Sequence, residues 1–557
     1  MKKPSTDAHF LDLARPHAGE LGNHAIDEFM AGRLTRRELL RHASMLGIAL
    51  SAGGLLGMPG ARAQGAGKPG GTIRVAHLMP AGAVDPLTVT DAAGLALINQ
   101  TGEFLIDDDS EHLTLKPALA LSWSSNAKGD VWTFKLRQNV KFHDGQPMTA
   151  KDVVATFNRL SDPGAGSAAL SVLKGVLSKD SAKAIDDHTV EFHLDAPNGN
   201  FPYYVSSDTY NAVILPANFT GPYEKTFMGT GALKLEKYTP KVGASFVRNP
   251  DYWGEKSLPD RVTFSFYADQ QAQLLAMQGR QADVMGDFTV QGGVSILTNP
   301  QFKVLGTKSS SHRQIHMRCD MSPFKDKRVR QALSMVLDRD LLTQRLTADG
   351  ELPMYGLISK GTQGAAVFKP DWAGWPMAKR VDYARNLLKS AGYSDAKPLT
   401  FTLTYNTNDL HKKVALFATS EWRTKLGVNT KLENVEYKVL LKQRHDGKVQ
   451  ASRDGWFVDY NDAMSYFDLI RCNSVQNDQR YCNPQVDKIV DEANQQLDDA
   501  KRTELLTKAH DTAMNDYPMV PLFQYSAVRL VKPYVGGYTS TNYVDQRATQ
   551  DMYLIKH

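Results

Sequence analysis

The stretch Trp132-Thr133-Phe134-Lys135-Leu136-Arg137-Gln138-Asn139-Val140-Lys141-Phe142-His143-Asp144-Gly145, continuing into Thr149-Ala150-Lys151-Asp152-Val153, changes its local rule twice in one short run. Trp132, Phe134 and Leu136 alternate with polar residues, so one face of an extended strand is apolar. His143-Asp144-Gly145-Gln146-Pro147 then reads as a turn, because Asp-Gly permits positive φ and Pro presets a bend. Thr149 and Asp152 stand at capping-box spacing, and Val153, Phe157 and Leu160 recur as a helical stripe. A strand passing through a tight turn into an amphipathic helix belongs to a chain that mixes both elements throughout.

The same alternation continues on either side. Gly71 to Ala76 reads as an opening strand after a Gly-rich tether, Gln64 to Gly71. Further strands are predicted at Thr189–Leu194, Leu233–Tyr238, Val262–Phe266, Leu399–Tyr405 and Val528–Val531. A helix is predicted over Gln270–Gly279. Another follows Asp326 as its cap, with Val329, Leu333, Val336 and Leu337 as its stripe. More helices are predicted near 380–391, 410–426, 483–498 and 500–514. No repeat at solenoid or propeller period is present. The class is α/β or α+β.

The chain has 557 residues, 42% hydrophobic and 22% charged, which is ordinary for a globular protein and long enough for more than one domain. A mean hydropathy of -0.37 excludes a polytopic membrane protein. The net charge of +5, from 65 basic and 60 acidic residues, is small and has no long basic run behind it. Nucleic acid is therefore not indicated as a partner.

Leu34-Thr35-Arg36-Arg37-Glu38-Leu39-Leu40 precedes an apolar, Gly/Ala-rich stretch and then Ala61-Arg62-Ala63-Gln64. Basic region, apolar region and small-x-small cleavage pattern together read as a secretory signal, and the paired arginines resemble a twin-arginine signal. Residues 1–63 are thus expected to be leader and signal. The competing reading is an uncleaved anchor, since the run just reaches the ~18 residues of a membrane span. No cysteine stands at the cleavage site, so a lipoprotein anchor is not encoded. Of the three cysteines, Cys472 and Cys482 flank a polar stretch, and in an oxidising compartment they are expected to pair; two free thiols is the alternative. Cys319 is then left over and buried.

Ordered motifs along the chain carry a family resemblance. They are Leu115 to Ala120 with Ser122-Trp123, the block opening at Trp132, Gly229-Thr230-Gly231, and Val247-Arg248-Asn249-Pro250-Asp251-Tyr252-Trp253. Then come Pro323-Phe324, Arg328 to Leu333, Asp338-Arg339, Gly455-Trp456-Phe457-Val458-Asp459-Tyr460, and Pro518 to Leu522. With these the chain resembles the extracytoplasmic solute-binding proteins of ABC importers, family 5, the oligopeptide, dipeptide and nickel group. The resemblance implies a two-lobed periplasmic-binding-protein fold of the large class, hinged around a ligand cleft. It implies lobe I from 71–108, 222–318 and 525–557, an extra subdomain at 109–221, and lobe II at 319–524. It also implies a periplasmic monomer that binds a short peptide or other amine-bearing solute and delivers it to permease subunits in the inner membrane.

In the peptide-binding relatives the acidic residue matching Asp459 pairs with the ligand's amino terminus. A carboxylate in a dry cleft makes a strong bond to an ammonium group and is costly when unpaired. A turn aspartate is the alternative, because Asp459-Tyr460-Asn461-Asp462 also reads as a loop. Trp456 and Tyr460 are candidate apolar walls, with core packing as the alternative. Tyr405 and Asn406 stand at the end of a predicted strand, where a residue can face the cleft. Ala232 follows Gly231, and Ala463 follows Asp462, at positions where the family often has Pro.

No phosphate-binding loop is present, since Gly67-Lys68 is followed by Pro69. No His-Glu-x-x-His or Gly-x-Ser-x-Gly occurs either. No catalytic residue, cofactor or metal is expected. The alternatives are the same carrier role for an oligosaccharide, opine or metal chelate, and a periplasmic hydrolase that uses the cleft.

Overall fold

A computed structural model of the chain describes residues 69–109, 114–207, 211–288, 299–347, 350–458, 460–474, 476–538 and 549–555. The leader and signal, most of the Gly-rich tether, and Asp459 lie outside the described residues.

The opening strand β1 spans Thr72–Leu78. Four strands then build a separate antiparallel sheet: β2 (Ala120–Ser125), β3 (Val131–Leu136), β4 (Ala182–Asp186) and β5 (Thr189–His193), in the order β2-β3-β5-β4. Trp132, Phe134 and Leu136 all lie on the buried face of β3. Gly145 turns the chain with φ 91, which its missing Cβ allows. Helix α1 (Ala150–Leu160) follows, and the Asp152 carboxylate accepts the Thr149 N–H at 2.7 Å and the Thr149 hydroxyl at 3.1 Å. Val153, Phe157 and Leu160 pack onto the sheet, with the Phe157 ring 5.0 Å from Phe192, edge to face.

The next run contains β6 (Leu233–Thr239), β7 (Gly243–Arg248), β8 (Arg261–Tyr267), α2 (Gln270–Gln278), β9 (Val284–Phe288) and the long β10 (Lys303–Met317). Then come α3 (Lys327–Met335), capped by Asp326, and α4 (Met377–Ser390). An alternating segment follows: β11 (Thr400–Asn406), α5 (Asp409–Leu426), β12 (Asn429–Val435), α6 (Tyr437–His445) and β13 (Ala451–Trp456). The chain ends on α7 (Pro484–Asn494), α8 (Asp499–Met514) and β14 (Met519–Val531).

Ten of these strands form one sheet in the order β12-β11-β13-β10-β14-β9-β1-β8-β7-β6, with Leu352–Pro353 as an eleventh strand on β14. The β12-β11-β13 end is parallel and carries its helices as crossovers, while the other end mixes both directions. Only β10 and β14 take part in both ends. Residues 303–308 of β10 pair with 526–531 of β14, and 312–316 pair with 519–524. Between Lys308 and His312 the register shifts, so the ladder is interrupted where the sheet passes from one end to the other. One apolar core, with Ile315, Leu333, Leu403 and Trp422, lies under the parallel end. A second joins β1, the four-stranded sheet, residues 458–470 and helices α7 and α8.

Three expectations are corrected. The final strand begins at Met519, not Val528. Pro521 lies within it, opposite Gln314 at a register shift, the kind of place where a strand tolerates proline. Helix α3 stops at Met335, so Val336 and Leu337 are buried beyond its end. The helix predicted to reach 498 ends at Asn494. Cys472 and Cys482 are joined by a disulfide, with Cα atoms 4.4 Å apart. Cys319 is free and only partly buried, and burial pushes its thiol up to about 11.

Candidate functional site

Strand β11 lies between its two parallel neighbours. Helix α5 leads from β11 to β12 on one side, and α6 leads from β12 to β13 on the other. The connections therefore diverge at the carboxyl end of β11, the position where open α/β sheets bind ligands. Tyr405 and Asn406 end β11 and Trp456 ends β13, so the structure brings these three predicted residues to one edge. His411 enters from the first turn of α5, whose cap Asn408 accepts the His411 N–H at 3.1 Å. On β10, His312 pairs with Trp456 and Arg313 with Gly455. Arg313, Ile315, Arg453 and Gly455 thus share one face of the sheet, and His312 and Trp456 share the other.

Buried polar atoms in proteins nearly always have partners. At this edge several do not. They include Asn406 Oδ1, Trp456 Nε1, His312 Nδ1, Arg313 Nε, His411 Nδ1 and Arg453 Nε. All belong to β10, β11, β13 and the start of α5. Arg453 contacts His411, Nη2 to Nε2 at 2.5 Å, and this contact requires a neutral imidazole that accepts. Burial, then Arg453 and Arg313, push the His411 imidazole down to about 2. Burial, then the neighbouring Arg313, pushes Arg453 down to about 10, so it remains charged at neutral pH, and burial lowers Arg313 as well. Arg453 thus keeps an open donor beside a neutral imidazole, and a carboxylate is the group that satisfies arginine in a planar fork.

A buried ionic network stands behind this edge. Arg444 of α6 grips Asp454 through Nη1 at 2.5 Å and Nη2 at 2.9 Å, and it also reaches Asp478 at 2.9 Å. Burial opposes the charge on Asp454, yet Arg444 holds its carboxyl below the usual range. Asp454 is committed to this network and forms no ion pair with Arg453 or Arg313. Asp478 belongs to the loop closed by the Cys472–Cys482 disulfide.

The described neighbours of position 459 are firmly held. Tyr460 is buried, with its ring 5.0 Å from Tyr204 and its hydroxyl 3.2 Å from that of Tyr204. Asp462 receives Arg502 of α8 in a bidentate pair at 2.8 and 2.5 Å. Tyr460 therefore lies in the core facing the segment at 201–204, while Trp456, on the strand, keeps an open donor. Tyr405 is half-buried against the core beneath the parallel strands, and Asn406 is buried on the opposite side.

The sequence reading did not single out Arg313, His411 or Arg453. Arg453 stands two residues before Gly455 in a quoted motif, and His411 stands three after a capping Asn, so both signals were present. Arg313 has no such local mark. Among the described residues no group of three or more His, Cys, Asp or Glu is placed to hold a metal ion, and no described helix is long and apolar enough to cross a membrane.

The family described as bacterial extracellular solute-binding proteins, family 5, matches residues 114–478. The periplasmic oligopeptide-binding protein OppA of Escherichia coli is 34% identical over 481 residues, covering 79% of this chain and 85% of that protein. The solved structure of Burkholderia pseudomallei OppA is 46% identical with a TM-score of 0.71, covering 87% of this chain and 99% of that one. Haemophilus influenzae OppA, solved in complex with the peptide RPPGFSPFR, is 29% identical with a TM-score of 0.70, covering 88% of this chain and all of that one.

Proposed function

We propose that this chain, which belongs to family 5 of the bacterial extracellular solute-binding proteins, captures a short peptide between its two lobes and delivers it to an ABC importer. The observation that carries the peptide reading is the set of open buried donors around Arg453 and His411. A peptide brings a carboxylate that fits them, and burial makes each such charge-assisted bond strong. Asp459 takes the amino end, by the ammonium–carboxylate logic set out above, and Trp456 and Asn406 meet the backbone between the two ends. Relatives named for oligopeptide and murein peptide binding support the same ligand class.

The place of action is the periplasm, reached by the Arg36-Arg37 signal, with the mature chain released as a soluble carrier that docks on permease subunits. On this reading the peptide is cargo and leaves chemically unchanged.

Titration calorimetry of the mature protein with tripeptides tests the reading, with native mass spectrometry of unrefolded protein to identify any ligand carried through purification. Saturable binding is expected. Arg453→Gln should weaken it about 10- to 100-fold, the worth of one or two hydrogen bonds to a charge, and Asp459→Ala should weaken it similarly. Affinity untouched by both changes would remove this edge from the site.

A further inference from the structure

Arg313 has no task in the peptide-end scheme, and its surroundings are unusual. Its side chain is 8% exposed on β10. The guanidinium lies 4.6 Å from the centre of the Tyr525 ring and 4.9 Å from that of Phe457, two rings that meet edge to face at 6.0 Å. Cation–π contact on two sides fixes the plane of the group and leaves its edge for hydrogen bonding. That edge is underused. Nη1 reaches only the carbonyl of its neighbour His312, at 3.2 Å, and Nε has no acceptor. No described carboxylate forms an ion pair with it. Asp454 is taken by Arg444, and Glu351 accepts the Thr347 hydroxyl at 2.9 Å.

Space for the group is built in. A Cβ on Gly455 would lie 2.9 Å from both Cδ and Nη1 of Arg313 and 2.8 Å from the His312 carbonyl oxygen. Phe457, the outer of the two rings, is 59% exposed and borders the carboxyl end of β13. A buried, oriented, unpaired guanidinium next to an open strand edge is costly unless something anionic completes it. It also stands on the same sheet face as Arg453, one strand over and two pairs along. Diagonal neighbours of this kind are about 7–8 Å apart at Cα.

We propose that Arg313 is a specificity-determining residue that binds an acidic side chain at the carboxyl-terminal end of the peptide, so the protein prefers peptides ending in Glu or Asp. The inference rests on the peptide reading above. One guanidinium–carboxylate contact in this setting supports a preference of about tenfold or more over the amide isostere.

The test is calorimetry with Ala-Ala-Ala, Ala-Ala-Gln and Ala-Ala-Glu, on the wild type and on Arg313→Gln. The wild type should bind Ala-Ala-Glu at least about tenfold tighter than Ala-Ala-Gln. Arg313→Gln should erase that ratio and hold Ala-Ala-Ala within about threefold, which also shows that the variant is folded. Arg313→Lys, which keeps the charge and loses the planar fork, should retain part of the preference. Equal wild-type binding of the Glu and Gln peptides overturns the role of Arg313 and leaves peptide capture standing. An Arg313→Gln variant that loses all three peptides alike also overturns it, since the residue then acts on the fold. A wild type that binds none of the three overturns both readings.

Discussion

Asp462 and Arg502 fix the chain on the far side of position 459. Both are buried, and burial opposes the Arg502 charge while the Asp462 carboxylate raises its affinity for the proton. Such pairs add little when compared with apolar replacements, but removal of one partner leaves the other charge buried alone. Asp462→Ala is therefore expected to cost about 3–5 kcal/mol in guanidinium unfolding, and a loss below about 1 kcal/mol, the size of an exposed pair, would show that the bridge is not insulated from water. At this scale the sequence was legible where a residue stood in a strand-end motif. Trp456, Tyr405 and Asn406 were expected near strand ends in that way, and each stands at the end of its strand. Arg313, His411 and Arg453 were not, because a lone basic residue looks the same on a solvated face and in a cleft. Their burial arises only when β10 and β13, far apart in the chain, are paired.

The Cys472–Cys482 loop is the element that ties strand β13 to helix α6. It holds Asp478, which meets Arg444, which in turn holds Asp454 of β13. Closing a loop of this length restrains the unfolded chain and is worth about 2–3 kcal/mol. Reduction by dithiothreitol, or the paired change Cys472→Ser with Cys482→Ser, should lower the melting temperature accordingly, and an unchanged melting curve would remove the disulfide from the stability of this region. Elements with strict local grammar were readable from sequence: β3, the Gly145 turn and α1 follow the strand, turn and cap rules almost residue by residue. Strand β10 was not, because Gly306 and the polar run Lys308 to Ser311 break its alternation. Long-range pairing with β14 makes it a strand despite its composition.

At the scale of the whole molecule, five histidines among the described residues are held neutral mainly by burial: His143, His312 and His510 at about 4, His316 at about 3 and His411 at about 2. Each has a folded value below its unfolded one near 6.5. The unfolded chain therefore binds more protons once pH drops below that value, and stability falls with it. Asp468 acts in the opposite sense, because burial raises it to about 6 and the folded state gains its proton first. Burial raises Asp478 and Asp511 too, so five histidines stand against three carboxylates, and the larger set predicts a falling melting temperature from about pH 6.5 to about pH 4. A flat or rising profile over that window would show that these histidines can open to water without unfolding.

The two strands that run through both ends of the sheet are bonded to each other over most of their length. They therefore form a ribbon and not two independent cords. A ribbon bends across its flat face and resists shear within its plane. Its softest point is the interruption between Lys308 and His312, where ladder bonds are missing. Movement of one end against the other is then reduced to a single coordinate, one bending angle set at that interruption.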